Sequence, residues 1–325
     1  MRCLVLGGGG FIGLNLCEAL LAIGHQVRVF ERPRLKIDGI TGQAGRDEIV
    51  TGAEWMEGDF ANPADVQSAV AGVDVIFHLI CTTLPKSSND NPAYDIESNV
   101  IATVRLLDAA KRLRVKKIIF ISSGGTVYGI PQRIPIHESH PTIPICSYGI
   151  TKLAIENYLH LYHYLYDMDY CILRVANPFG ERQRVEATQG AVAVFLHRAV
   201  KNEPIEIWGD GSIVRDYVYI GDVVSAFLKA IDYSGSQRTF NVGSGRGYSL
   251  NELLGIIESL LGHLVVRVNK EARSLDVPVN VLDISSARDS LKWEPRIPLR
   301  DGLMRTLDWI RKQAPVRTSP VVQIQ

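Results

Sequence analysis

The chain is 325 residues long, is 46% hydrophobic, and carries 35 Lys+Arg against 35 Asp+Glu, so its formal net charge is zero. That length accommodates one large α/β unit and a smaller second lobe. Balanced charge gives no electrostatic footprint for nucleic acid or an anionic membrane surface. The five cysteines (Cys3, Cys17, Cys81, Cys146, Cys171) are scattered, mostly inside apolar runs and without a Cys-x-x-Cys pair. That is the pattern of small core residues in a reducing compartment. No charged leader and no run of membrane-span length is read, so the expectation is a soluble cytoplasmic protein.

Arg2 to Leu6 reads as a buried strand, Gly7 to Gly13 as a tight turn, Leu14 to Ile23 as a helix ending at Gly24, and Gln26 to Phe30 as a second strand. Strand, glycine turn, helix and strand make a βαβ opening. In such a turn Gly7 takes angles other residues avoid, Gly10 leaves room for a diphosphate at the backbone, and Gly13 lets the helix lie close on the strand. The helix N-terminus then offers free N–H groups and a partial positive charge to the phosphates. Glu31 ends the second strand, where a carboxylate accepts from both adenosine ribose hydroxyls and repels a 2′-phosphate, which favours NAD. Arg32 and Arg34 argue for NADP.

Residues 33 to 53 read as loop. Glu54 to Asp59 reads as a third strand whose terminal Asp59, before Phe60, faces the ligand crevice or caps a turn. Val73 to Leu79 is a fourth strand, with Cys81 and Thr82 where a nicotinamide ribose would lie. Asn91-Pro92 opens a long helix through Arg114 that contains Asn99, and Lys117 to Ser122 is a fifth strand. If extension persists beyond it, Ser122, Gly124 and Thr126 share one face. A further long helix runs from Ser147 to about Asp167. His160 and His163 on it have metal-like spacing, but four tyrosines surround them and no carboxylate pattern accompanies them, so a packed face is expected and no metal.

Tyr148 and Lys152 lie one turn apart on that helix. An ammonium near a phenol lowers the phenol's pKa, as does an oxidised nicotinamide ring. Moving a phenol from about 10 to about 7 takes roughly 4 kcal/mol, and Tyr148 then serves as a base at neutral pH.

Taken together, Gly7-x-x-Gly10-x-x-Gly13, Asp59, Asn99, Tyr148-x-x-x-Lys152 and Arg174-x-x-Asn177-Pro178 resemble the extended short-chain dehydrogenase/reductase family, and within it the nucleotide-sugar 4-epimerases similar to UDP-glucose 4-epimerase. The resemblance spans Arg2 to about Ile310. It implies a Rossmann-type doubly wound parallel sheet with a smaller C-terminal α/β substrate lobe. The dinucleotide-binding domain is expected at 1–176 plus 214–242, the nucleotide-sugar-binding domain at 177–213 plus 243–315, and a tail at 316–325. It further implies that Tyr148 is the acid/base, that Lys152 holds the nicotinamide ribose and tunes Tyr148, and that Asn99 is a structural polar contact. Gly7, Gly10, Phe11, Ile12, Gly13, Glu31, Arg32, Asp59, Phe60, Leu79, Asn99 and Ser122 are the remaining cofactor-site candidates.

One position departs from the family, which usually places a Ser or Thr where this chain has Gly124. Thr126 or Ser123 is the candidate replacement. The same turn lacks the acidic residue of the sugar-nucleotide dehydratases, which lowers that reading. In the second lobe Asn177, Arg215, Arg273 and Asp276 match the family's grip on the substrate diphosphate, a task suited to paired arginine donors. Asn280 falls at the family's gate to the 2-acetamido pocket, and a residue smaller than tyrosine there implies that N-acetylated sugars are tolerated. The expected reaction inverts C4 of a UDP-hexose through a 4-keto sugar. A dehydratase, a 4-keto reductase and a non-catalytic NAD-binding regulator are the alternatives. Surplus apolar surface on the two long helices, which form a four-helix contact in the family, implies a homodimer.

Overall fold

A computed structural model describes residues 1–33, 50–183, 190–272 and 277–313. Arg34, Arg273, Asp276 and the expected tail lie outside the described residues. In chain order the first half comprises β1 (Arg2–Leu6), α1 (Phe11–Ala22), β2 (Gln26–Glu31), β3 (Glu54–Glu57), α2 (Pro63–Val70), β4 (Val75–His78), α3 (Pro92–Asp95), a π-helical stretch (Ile96–Ile101), α4 (Ala102–Arg112), β5 (Lys117–Ser123) and α5 (Ser147–Tyr166). The second half adds β6 (Asp169–Val175), β7 (Asn177–Phe179), α6 (Ala191–Val200), β8 (Ile205–Trp208), β9 (Val214–Tyr219), α7 (Ile220–Asp232), β10 (Thr239–Val242), β11 (Gly247–Ser249), α8 (Leu250–Leu261), β12 (Arg267–Lys270), β13 (Val279–Asn280), α9 (Ser285–Asp289) and α10 (Leu299–Gln313).

Helix boundaries follow local chemistry. Asn62 caps α2 by accepting from Ala64 N–H at 3.0 Å, Asn91 caps α3 by accepting from Tyr94 N–H at 3.1 Å, and proline follows each cap, where its missing N–H costs nothing. Ser249 and Glu252 form a capping box on α8.

Seven parallel strands form the main sheet in the order β10-β6-β5-β4-β1-β2-β3. Because both faces are covered, the central strands read as continuous apolar runs, and Cys3, Leu4, Val5 and Leu6 of β1 are all fully buried. Alternation divides them. Cys3, Val5, Phe77, Ile119 and Leu173 join one core with α1 and α7, whereas Leu4, Leu6, Ile76, Ile118 and Phe120 join a second core beneath α2, α4 and α5. Strand order reverses between β1 and β4, so the crevice at their carboxyl ends is the natural ligand site of this architecture.

A smaller four-stranded sheet contains β7, β9, β11 and β13, and β8 pairs with β12. Strand β9, assigned by the sequence reading to the first lobe, thus sits in the second sheet, while β10 closes the edge of the first. No helix among the described residues is long and apolar enough to cross a membrane, and no cluster of three or more potential metal ligands occurs among them.

Candidate active site

The glycine turn joins β1 to α1. Gly7 has φ +80°, and its N–H donates to Phe30 O at 2.9 Å. A Cβ on Gly13 would lie 2.4 Å from Gly7 O and 2.6 Å from Gly8 Cα, so any side chain there would force α1 off the turn. Gly10 precedes the helix with no side-chain cap, so the first-turn N–H groups of Phe11 and Ile12 remain directed at the crevice. Glu31 Oε2 accepts from Gly9 N–H at 3.0 Å, which holds the carboxylate over the rim of the turn, and Arg32 beside it is exposed.

The opposite wall is built from the end of β4. Leu79 N–H donates to Leu6 O at 3.0 Å, and a Cβ on Gly7 would lie 3.3 Å from Ile80 N, so glycine there permits the close approach. Asn99, in the π-helical stretch, accepts from Thr82 N–H at 3.0 Å and donates to Thr82 Oγ1 at 2.8 Å and Asp95 Oδ1 at 2.9 Å. Asn99 therefore clamps the loop after β4, a structural task for a π-bulge residue. Asp95, absent from the sequence reading, extends the network to the catalytic helix by accepting from Ser147 Oγ at 2.7 Å. A chain of contacts thus runs from the glycine turn to the first turn of α5.

Several expected positions differ. The third strand stops at Glu57, and the Asp59 carboxylate accepts from Ala61 N–H at 2.9 Å, which is the turn-capping role. The Phe60 ring is buried, 5.2 Å centre to centre from His78, leaving only its backbone for a ligand. Extension does not persist beyond Ser123: residues 124–128 form a turn, so Ser122, Gly124 and Thr126 share no strand face. Ser122 is buried, and its hydroxyl donates to Glu156 rather than facing the crevice. Glu156 also pairs with Arg174 at 2.6 Å, and Arg174 donates to Tyr128 Oη at 3.0 Å.

On α5 the two candidate catalytic side chains come together. Lys152 Nζ lies 5.7 Å from the centre of the Tyr148 ring and 4.7 Å from that of Phe120, and it donates to Ile121 O at 3.0 Å. Their electrostatics run opposite to the sequence expectation. Burial, followed by the neighbouring Cys81, Cys146 and Asp95, pushes the Tyr148 phenol well above its ordinary value, and burial pulls Lys152 down. Removing two polar groups from water outweighs their mutual influence, so the protein alone keeps the phenol protonated.

On the second lobe, Asn177 donates to Asp216 O at 3.0 Å. Arg215 donates to Val277 O at 2.6 Å and Val214 O at 2.9 Å, which ties its guanidinium to β9 and to the segment just before β13. Asn280 is buried, and its amide donates to Gly124 O at 3.1 Å. Asp216 was also missed. Its buried carboxylate, raised by burial, accepts from Ser244 N–H at 2.7 Å and Gly245 N–H at 3.1 Å.

The glycine cradle, the uncapped helix and Glu31 fit a dinucleotide with free ribose hydroxyls. Residues 3–243 match the model of the NAD dependent epimerase/dehydratase family. The chain belongs to that family. A UDP-glucose 4-epimerase from Mycolicibacterium smegmatis is 36% identical over 322 residues, covering 97% of this chain and 100% of that one. The crystal structure of a UDP-glucose 4-epimerase from Thermotoga maritima with UDP-glucose superposes with a TM-score of 0.89 at 34% identity, covering 96% and 99% of the two chains. That of the Thermus thermophilus enzyme with NAD gives 0.86 at 30%, covering 97% and 100%. Relatives named for glucuronate and N-acetylglucosamine substrates match as well. This is an NAD-dependent enzyme of the nucleotide-sugar epimerase class.

Proposed function

We propose that the protein inverts C4 of a UDP-hexose through a 4-keto sugar. The observation that carries the reading is the pairing of Tyr148 with Lys152 on α5, joined through Asp95, Asn99 and Thr82 to the wall of the glycine turn. Gly7, Gly10 and Gly13 with the first turn of α1 would hold the NAD diphosphate, Glu31 the adenosine ribose, and Lys152 the nicotinamide ribose. Bound NAD supplies a hydride acceptor and a positive charge beside the phenol, which opposes the burial that keeps Tyr148 protonated. Tyr148 would take the proton of the sugar 4-hydroxyl as C4 gives up its hydride, and would return it to that same oxygen once the keto sugar has turned and C4 has regained hydride on its opposite face. Asn177 and Arg215, together with Arg273 and Asp276, hold the diphosphate, so binding energy is spent on the tether and the sugar stays free to rotate.

Asn280 is folded back onto Gly124 rather than projecting as a bulky side chain, which supports acceptance of N-acetylated sugars. The exposed Ile96, Ile101, Tyr158, Leu161, Tyr164 and Leu165 on the helices flanking the site support a homodimer through those faces. Identification of the dinucleotide released on heating, followed by assay of UDP-glucose and UDP-N-acetylglucosamine for 4-epimer formation, tests the reading. Loss of activity only toward the N-acetyl sugar would remove the Asn280 argument. Absence of any 4-epimer would remove the whole.

A further inference from the structure

Tyr148, Lys152 and Glu156 stand at i, i+4 and i+8 on α5 and form one stripe down the helix, about 12 Å long. Lys152 and Glu156 are buried and are pinned to consecutive residues of β5. Lys152 Nζ donates to Ile121 O at 3.0 Å, and Glu156 accepts from the Ser122 hydroxyl. In the next strand Arg174 of β6 is the register partner of Ser122. Its guanidinium meets Glu156 through Nε at 3.0 Å and Nη2 at 2.6 Å, and Nη1 is held by Tyr128 Oη and Glu138 O. Charges therefore alternate along the line as ammonium, carboxylate and guanidinium, with the phenol at its open end.

An ammonium shut away from water tends to lose its proton, and burial does pull Lys152 down. A neutral lysine would give the Tyr148 phenolate no support. The groups that face Lys152 are His78 of β4, Cys81 after β4, Asp95 of α3, and Tyr148 and Glu156 of α5. Burial brings the His78 pKa down to about 3, so the imidazole is neutral, and Cys81 carries charge only as a thiolate. Two carboxylates are left to hold the proton on the lysine, and they are not equivalent. Asp95 raises the phenol as well as the lysine, so it opposes the phenolate. Glu156 lies a turn beyond Lys152 and two turns from Tyr148, and the effect of a charge falls with distance. Arg174 compensates the buried carboxylate from β6, one strand further from Lys152, so the carboxylate is the nearer charge.

We propose that Glu156, compensated by Arg174, is a positioning residue of the reaction: its carboxylate keeps Lys152 in the ammonium form from the side opposite Tyr148. The inference rests on the epimerase reading. No bond is made or broken at Glu156 and no proton leaves it. The pair acts on the reaction only through Lys152, which stays charged to hold the nicotinamide ribose and to favour the phenolate.

The test reads the lysine directly, by carbon-13 NMR titration of NAD-loaded protein labelled at lysine Cε, with Lys152→Met identifying the signal. Glu156→Gln keeps an acceptor of the same size for Ser122 and Arg174, and is expected to lower the Lys152 midpoint by about one pH unit, the low end of the shift that one close charge produces. Glu156→Asp keeps the charge and should stay close to the parent. Glu156→Gln combined with Arg174→Met strands no charge, and its midpoint should lie between those of Glu156→Gln and the parent. If Glu156→Gln does not fold, the double variant must still titrate below the parent. The alkaline limb of kcat/KM should follow the same order, because the reaction fails where Lys152 loses its proton. A mere helix anchor would lower kcat without moving either titration. A Lys152 midpoint unmoved in Glu156→Gln, or lower still in the double variant, would overturn the assignment and leave the epimerase reading in place. A parent protein that forms no 4-epimer would overturn that reading, while the NMR midpoints would still decide whether Glu156 governs Lys152.

Discussion

The carboxylate of Asp95 accepts a hydrogen bond from Ser147 Oγ at 2.7 Å, which couples the π-helical turn to the residue immediately before Tyr148. The same carboxylate accepts from Thr83 Oγ1 and Asn99 Nδ2. It is fully buried, and each of its oxygens is used. Asp95→Ala would take that acceptor from Thr83, Asn99, Ser147 and Thr151, so a loss of about 2–4 kcal/mol is expected in urea unfolding. Activity should fall in the same variant even at temperatures where it stays folded, because the start of α5 loses its anchor. Unchanged kcat in folded Asp95→Ala would separate that anchor from catalysis.

Glu156 and Arg174 form a buried pair closed by three short contacts, and Ser122 donates to the same carboxylate. Taking Glu156 to Ala strands a guanidinium out of water, with an expected cost of about 3–5 kcal/mol. Replacing both partners by Leu and Met should cost less than the single change, since no charge is then left alone. Equilibrium denaturation of the two variants gives the comparison directly.

Lys152 presents its ammonium to the Tyr148 ring, while burial holds the phenol up. An ammonium favours the phenolate, so Lys152→Met should raise the phenol pKa further. A base that must be ionised is lost as pH falls through its pKa, and the acid limb of kcat/KM should therefore move to higher pH in the variant. A limb that stays in place would assign it to another group.

His78 is enclosed between Phe60 and Phe120, and burial brings its pKa down to about 3. Its Nε2 lies 2.8 Å from Thr103 Oγ1, which itself donates to Asn99 O at 2.6 Å, so the imidazole is the Nε2–H tautomer and donates to the threonine. The unfolded chain binds a proton near 6.5 that the folded chain refuses until about 3. Stability should consequently fall as pH drops through that window, by up to about 1.4 kcal/mol per pH unit from this group. Unfolding free energies of His78→Phe and the parent, measured from pH 7 to 4, should diverge in slope, and parallel curves would contradict the burial.

Local patterning was sufficient for the scaffold. The apolar run of β1, the glycines at 7, 10 and 13, the Asn-Pro cap of α3 and the spacing of Tyr148 and Lys152 are properties of neighbouring residues, and backbone sterics and helix period act over that range. What it could not supply is anything set by burial or by contacts between distant segments. The direction of the Tyr148 shift depends on how much water the folded chain removes. The roles of Asp95, Glu156 and Asp216 depend on donors brought from other elements. Gly124 looked like a missing hydroxyl in the sequence, and only the approach of Leu282 from the second lobe makes it a required absence, because two side chains cannot fill one volume.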